Sequence, residues 1–162
     1  MSKDLKISYL KSLQGFLWIR GYESGALRCP LFPDVYPRLQ SWTESGKKVV
    51  IYSSGSVPAQ KLLFQYTDVD GGKDVRPLLS GYFDTTNAGM KNEQQSYEKI
   101  AREVGYSPEK FLFASDNVLE VEAAKLAGMK AVVVVRAGNA PLSEAQKSEN
   151  AVVESFEELE VI

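Results

Sequence analysis

The sequence contains no histidine, and this absence removes more chemistry than any other feature of the composition. Without imidazole the chain cannot build a serine–histidine triad, a cysteine–histidine pair, a histidine-ligated zinc site or a histidine general base. Cysteine is nearly missing as well. Cys29 stands alone, so no intramolecular disulfide can form. Nothing at the N-terminus reads as a charged region followed by an apolar signal core, and a reducing, intracellular location is the default expectation. There is no excess of charge of either sign: 19 basic and 21 acidic residues leave a net charge of -2. Because they are interspersed, no field exists to draw in a nucleic-acid backbone or an anionic membrane, and neither is expected as a partner. Membrane-spanning runs, internal repeats and low-complexity tracts are also lacking. What chemistry remains must run on carboxylates, lysine, hydroxyls and hard, oxygen-bound metals.

What is present is the composition of a folded domain. Apolar residues make up 44% and charged residues 25% of 162 positions, enough for one core and at most an appendage. Leu5, Tyr9, Leu10, Leu13, Phe16, Leu17 and Trp18 recur at intervals of three and four, predicting an amphipathic helix that ends at the glycines 21 and 25. Three prolines follow between Pro30 and Pro37, and Tyr36, Leu39 and Trp42 carry a second helix closed by Ser45-Gly46. Val49-Val50-Ile51-Tyr52 reads as a strand buried on both faces. Ser53-Ser54-Gly55-Ser56 ends it, and Val57 to Tyr66 is helical after a proline near its first turn. Thr67 to Lys73 is loop, Tyr82-Phe83-Asp84 a short strand, and Glu93 to Val104 a helix. Phe111 to Ala114 is a second buried strand, Leu119 to Ala127 a helix capped by Gly128, and Ala131 to Val135 a third strand. Strands alternating with helices in this way predict an α/β fold with a doubly wound, Rossmann-like parallel sheet.

In such sheets the ligand sits beyond the carboxyl ends of the strands. Ser53 and Ser54, at a strand end before a helix N-terminus, offer hydroxyls and backbone N–H groups to a phosphate, or else cap the next helix. Lys91, in the loop after the next strand, offers a compact positive charge, or is a solvated surface lysine. Asp116, with Glu120 four residues on, offers oxygen donors suited to magnesium, or an N-cap and a surface acid.

Strand-end serine, loop lysine and strand-end aspartate, in this order, match the second, third and fourth motifs of the haloacid dehalogenase superfamily. Within it the chain resembles the enolase-phosphatase, or acireductone synthase, family through Leu13-Gln14-Gly15, Ile51 to Ser56, Ala59 to Phe64, Gly81 to Asp84 and Gly138-Asn139-Ala140. The resemblance implies a magnesium-dependent, bifunctional enzyme of methionine salvage. It would enolise 2,3-diketo-5-methylthiopentyl-1-phosphate and hydrolyse the phosphate to give acireductone. Ser53 and Ser54 would bind substrate, Lys91 its phosphate, and Asp116 the Mg2+. It further implies a monomer that acts on a small-molecule phosphate ester in the cytoplasm, with the nucleus as a second compartment.

One part of the pattern is missing. Superfamily members begin with an apolar strand ending in paired acidic residues, the first of which attacks phosphorus, and no such strand precedes Ser53. Asp68-Val69-Asp70-Gly71 has the right letters but follows a helix and reads as a surface loop. Residues 1–28 are therefore expected to be the remnant of a helical cap, and residues 29–162 a core lacking its first, central strand and with it any catalytic nucleophile. Losing that strand would open a gap of roughly 10 Å, two inter-strand spacings, that the neighbours either close or leave as unpaired edges. Little or no turnover by this chain alone is expected. The alternatives are a phosphoester-binding pseudoenzyme and a phosphatase of the same superfamily with a different substrate.

Overall fold

The computed structural model of the protein describes residues 17 to 161. The helix predicted from Leu5 lies partly outside them; its visible part runs over residues 17–23 and continues through Gly21. Tyr22 stacks on Tyr66 with ring centroids 5.7 Å apart. A single parallel bridge between Cys29 and Thr67 then joins this segment to the rest of the molecule.

From there the chain alternates helix and strand as the periodicity predicts. In order it forms α1 (Val35–Glu44), β1 (Val50–Tyr52), α2 (Val57–Gln65), β2 (Gly81–Phe83), α3 (Gln94–Val104), β3 (Leu112–Ser115), α4 (Val118–Leu126), β4 (Lys130–Val134), α5 (Glu144–Glu149) and β5 (Val152–Val153). Gly105 closes α3 at φ +86°, a left-handed conformation that costs glycine nothing. Asp68 to Gly71 is loop and 3-10 turn, as expected. The sequence reading missed α5, which is short and polar, and β5, which at two valines is too short for periodicity to register.

The strands do not make one sheet. β1 pairs in parallel with β2, with Tyr52 opposite Phe83. β3, β4 and β5 form a second parallel sheet in that order, with Ser115 opposite Val133. Among the described residues nothing pairs with the remaining edge of β1 or of β3. Of the two arrangements foreseen for β1 and β3, closed up or left with unpaired edges, the described residues show the open one.

This corrects the burial expected of two strands. β1 and β3 were predicted to be buried on both faces, yet every residue of both is only partly buried. The strand buried in this way is β4, whose Ala131 to Val134 lie between neighbours on either side. The composition of β1 and β3 suits a central position, but a residue beside an unpaired edge keeps access to water.

What spans the gap is a column of aromatic rings. Tyr97 of α3, 1% exposed, meets Tyr52 of β1 edge-on at 5.5 Å and Phe113 of β3 at 5.0 Å. Around it pack Val121, Ala123, Ala124 and Val133, which form the main core. A second cluster, Val132, Val134 and Leu159, lies on the opposite face of the β3–β4–β5 sheet, with Trp42 and Phe156 packed against it. Each face of that sheet is thus covered, the arrangement of a doubly wound fold.

Candidate active site

All four candidate side chains stand at the carboxyl ends of strands or in the loops that leave them. Ser53 directly follows β1. Its N–H donates to the Phe83 carbonyl at 3.0 Å, and its Oγ accepts the Gly55 N–H at 3.1 Å, so the chain turns tightly before α2. Neither Ser53 nor Ser54 caps that helix. The N-cap is Ser56, whose side chain makes no capping bond. The orphan N–H of Val57 is instead satisfied from outside the element, by Asp84 Oδ2 at 3.0 Å. Gln60, 3% exposed, secures the turn from within by donating to Gly55 at 2.7 Å and to Phe83 at 2.9 Å. The Ser54 side chain is left facing solvent.

Asp84 also accepts the N–H groups of Thr86 and Asn87, each at 2.9 Å. The Asn87 N–H, together with those of Val57 and Thr86, holds its carboxyl below the usual carboxylate range, and burial opposes but does not cancel them. Sequence reading took Asp84 as the end of a strand. Its work is to tie the serine turn to the loop that leads to Lys91.

That loop presents Lys91 inward, so the solvated-lysine alternative does not hold. Lys91 Nζ lies 2.5 Å from Glu120 Oε2, with side chains 21% and 13% exposed, and 5.7 Å from the centre of the Tyr52 ring. The same Glu120 oxygen accepts the Ser115 hydroxyl at 2.7 Å. Glu120 therefore faces the lysine, neither exposed to solvent nor turned toward Asp116. The sequence placed it four residues beyond Asp116 but gave no sign of this partner, since a pairing across α4 and the β2–α3 loop depends on tertiary packing.

Asp116 follows β3 and is exposed. It is not the N-cap of α4; that is Asn117, whose side chain accepts the Leu119 N–H. Asn139 Nδ2 donates to Asp116 Oδ2 at 3.0 Å, and the Arg136 N–H donates to Asn139 Oδ1 at 2.6 Å, which fixes the amide's orientation. Arg136 in turn is anchored by its ion pair with Asp34 and lies over the Phe32 and Phe156 rings. No group of three or more carboxylate or thiolate ligands occurs among the described residues. Asp116 by itself still fits a magnesium ion, which is commonly held by one or two carboxylates and completes its shell with waters and substrate phosphate oxygens.

A hydroxyl-bearing turn, an inward ammonium and an outward carboxylate are thus gathered at one end of two parallel sheets. Serine turn and lysine are linked through Tyr52, and lysine and carboxylate through Glu120 and Ser115. A phosphate ester is the ligand such a set suits. Comparison with known proteins agrees: the haloacid dehalogenase-like hydrolase family matches residues 12–128, and the chain belongs to that family. The fold alone recurs in CbbY from Rhodobacter sphaeroides in complex with phosphate, with a TM-score of 0.74 at 17% identity.

The narrower assignment comes from close relatives. The chain is 60% identical over 161 residues to the enolase-phosphatase E1 of Neurospora crassa, covering 98% of this chain and 68% of that protein. It is 54% identical over 179 residues to that of Sclerotinia sclerotiorum, covering 100% and 68%. The crystal structure of UTR4 protein from Saccharomyces cerevisiae superimposes with a TM-score of 0.86 at 41% identity, over 96% of this chain and 69% of that one. The chain is a member of the enolase-phosphatase E1 family, a family of phosphatases, and spans about two thirds of the length of these relatives.

Proposed function

We propose that this chain carries the substrate-positioning part of an enolase-phosphatase of methionine salvage, acting on 2,3-diketo-5-methylthiopentyl-1-phosphate. Ser53 and Ser54 hold the substrate, and Lys91 holds its phosphate. Asp116, oriented by Asn139, holds Mg2+, which when bound offsets the negative charge of the phosphate. Residues 1–28 belong to a helical cap and residues 29–162 to the hydrolase core. The exposure of Leu17, Trp18 and Ile19, from 40% to 61%, supports a segment built to pack against more cap than is described.

The observation that carries this reading is the inward placement of Lys91. A lysine held between Glu120 and an aromatic ring, at a strand-end site with a hydroxyl-bearing turn, is arranged for an anion rather than for solvent.

The attacking carboxylate is a different matter. Among the described residues Asp84 is committed to three backbone N–H groups, Glu120 to Lys91 and Ser115, and Asp116 to the metal in this reading. None of these three is free to attack phosphorus, and in this reading the chain holds the ester while the attacking carboxylate comes from elsewhere. The test is phosphate release from the diketo phosphate ester with magnesium, by this chain and by a form extended upstream with an apolar strand ending in paired acidic residues. Activity confined to the extended form establishes the reading; activity of the chain alone overturns the assignment of the nucleophile.

A further inference from the structure

The loop that carries Lys91 is held by three side chains on three consecutive carbonyls. Tyr52 Oη donates to Gly89 O at 2.7 Å, Ser96 Oγ to Met90 O at 2.7 Å, and Tyr97 Oη to Lys91 O at 2.6 Å. The approach is close enough to require glycine at the start of the run. Gly89 has φ +124°, and a Cβ there would stand 2.4 Å from Ser96 Oγ. Apart from a turn bond from the Glu93 N–H to Met90 O at 3.1 Å, no backbone donor among the described residues reaches these carbonyls, and the hydroxyls supply what secondary structure supplies elsewhere.

Two of the three donors are also the rings that span the gap between β1 and β3, and Tyr97 is the central one. Its ring needs no hydroxyl in order to pack against Tyr52 and Phe113, and phenylalanine would fill the same space. The hydroxyl is therefore the part whose presence asks for a reason, and its partner is the main chain of Lys91 itself. Burial raises the phenol well above its ordinary range, with the Glu120 and Tyr52 charges adding to it, so the group remains a donor wherever the protein is folded.

We propose that Tyr97 is a positioning residue for Lys91: its hydroxyl fixes the main chain at Lys91, and so fixes the root from which the ammonium reaches Glu120 and the phosphate. A lysine side chain has four flexible carbons and no fixed fork, so its aim depends on where its backbone is held and on what meets its tip. Tyr97 holds the first, and Glu120 with the Tyr52 ring holds the second.

The proposal rests on the reading of Lys91 as the phosphate-binding group, and one set of measurements separates the two. The affinity of the whole chain for inorganic phosphate is measured for the wild type, Lys91→Ala and Tyr97→Phe, each at a temperature where near-UV circular dichroism shows it fully folded. Removing one hydrogen bond is expected to weaken phosphate binding about fivefold in Tyr97→Phe, with a larger loss in Lys91→Ala. A purely structural hydroxyl would lower the unfolding midpoint and leave the affinity of the folded protein unchanged. That result, with Lys91→Ala still impaired, overturns the positioning role alone. Equal behaviour of wild type and Lys91→Ala, including no binding by either, overturns both readings. Should Tyr97→Phe fail to fold, Tyr52→Phe removes the half-buried hydroxyl on Gly89 of the same loop. A loss of about twofold there supports the proposal, and an unchanged affinity overturns it.

Discussion

At the scale of single residues, the site depends on charged and polar groups that are each satisfied by something distant in sequence. Lys91 and Glu120 form one such pair, and Asp84 with the backbone of Val57 another. Such groups govern how stability responds to pH. Asp84 and Asp34 both have carboxyl groups held below their ordinary range. For Asp84 the chief cause is the Asn87 N–H. For Asp34 burial opposes the shift but is outweighed by the hydrogen bonds from Arg136 and Phe156. A carboxyl lowered in the folded state stabilises it above the unfolded value, near pH 4, and that stabilisation is lost as pH falls through the lower, folded value. With no histidine in the chain, no side chain of ordinary pKa titrates between about pH 5 and 8. Urea unfolding is therefore expected to give a flat free energy over that interval and a steep decline below pH 4. Asp84→Asn should cost about 2 kcal/mol at neutral pH, because a buried set of charge-assisted hydrogen bonds is weakened, and should make the acid decline shallower. An unchanged acid limb would show that Asp84 does not carry it.

At the scale of elements, the positions of helices and strands were equally legible, and what the residue types misjudged was the burial of β1 and β3. The residue spacing predicted α1, α2, α3 and α4 to within about two residues, since an amphipathic stripe and a glycine stop are local properties. Caps were less legible, because a cap is a matter of hydrogen-bond geometry and neighbouring polar residues compete for it. Asp116 and Asn117 are adjacent, and either could have capped α4 by type. The structure gives the cap to Asn117 and leaves Asp116 facing outward to Asn139. This division has a measurable consequence: Asn117→Ala should destabilise the protein by about 1 kcal/mol in urea unfolding. Equal stability of the variant and the wild type would remove the cap from Asn117 and reopen that role for Asp116.

At the scale of the whole molecule, the defining feature is a parallel sheet in two parts. β1 and β3 each present an unpaired edge among the described residues, and their apolar side chains remain half-exposed. Tyr97 and its two aromatic neighbours hold the halves together on one face, and α1 bridges them on the other, its Thr43 donating to Leu78 O and its Arg38 to Phe156 O and Leu159 O. Open apolar edges leave stabilisation unrealised. Extending the chain upstream with an apolar strand able to lie between β1 and β3 should therefore raise the unfolding temperature, on the order of 5–10 °C for a few kcal/mol gained. Differential scanning calorimetry of the two forms reads the difference. Equal melting temperatures would mean that the gap does not accept a strand.

The sequence by itself determined the alternation of helix and strand, the order of the motif residues Ser53, Lys91 and Asp116, and the exclusion of all histidine chemistry. These follow from residue type and spacing, which are properties of the chain in any conformation. Only the tertiary structure decided that Glu120 faces Lys91, that Asp84 caps a helix 27 residues before it, and that three hydroxyls converge on the loop of Lys91. It decided too that β1 and β3 stand apart. Those facts depend on which elements become neighbours, and partners distant in sequence leave no periodic trace in it.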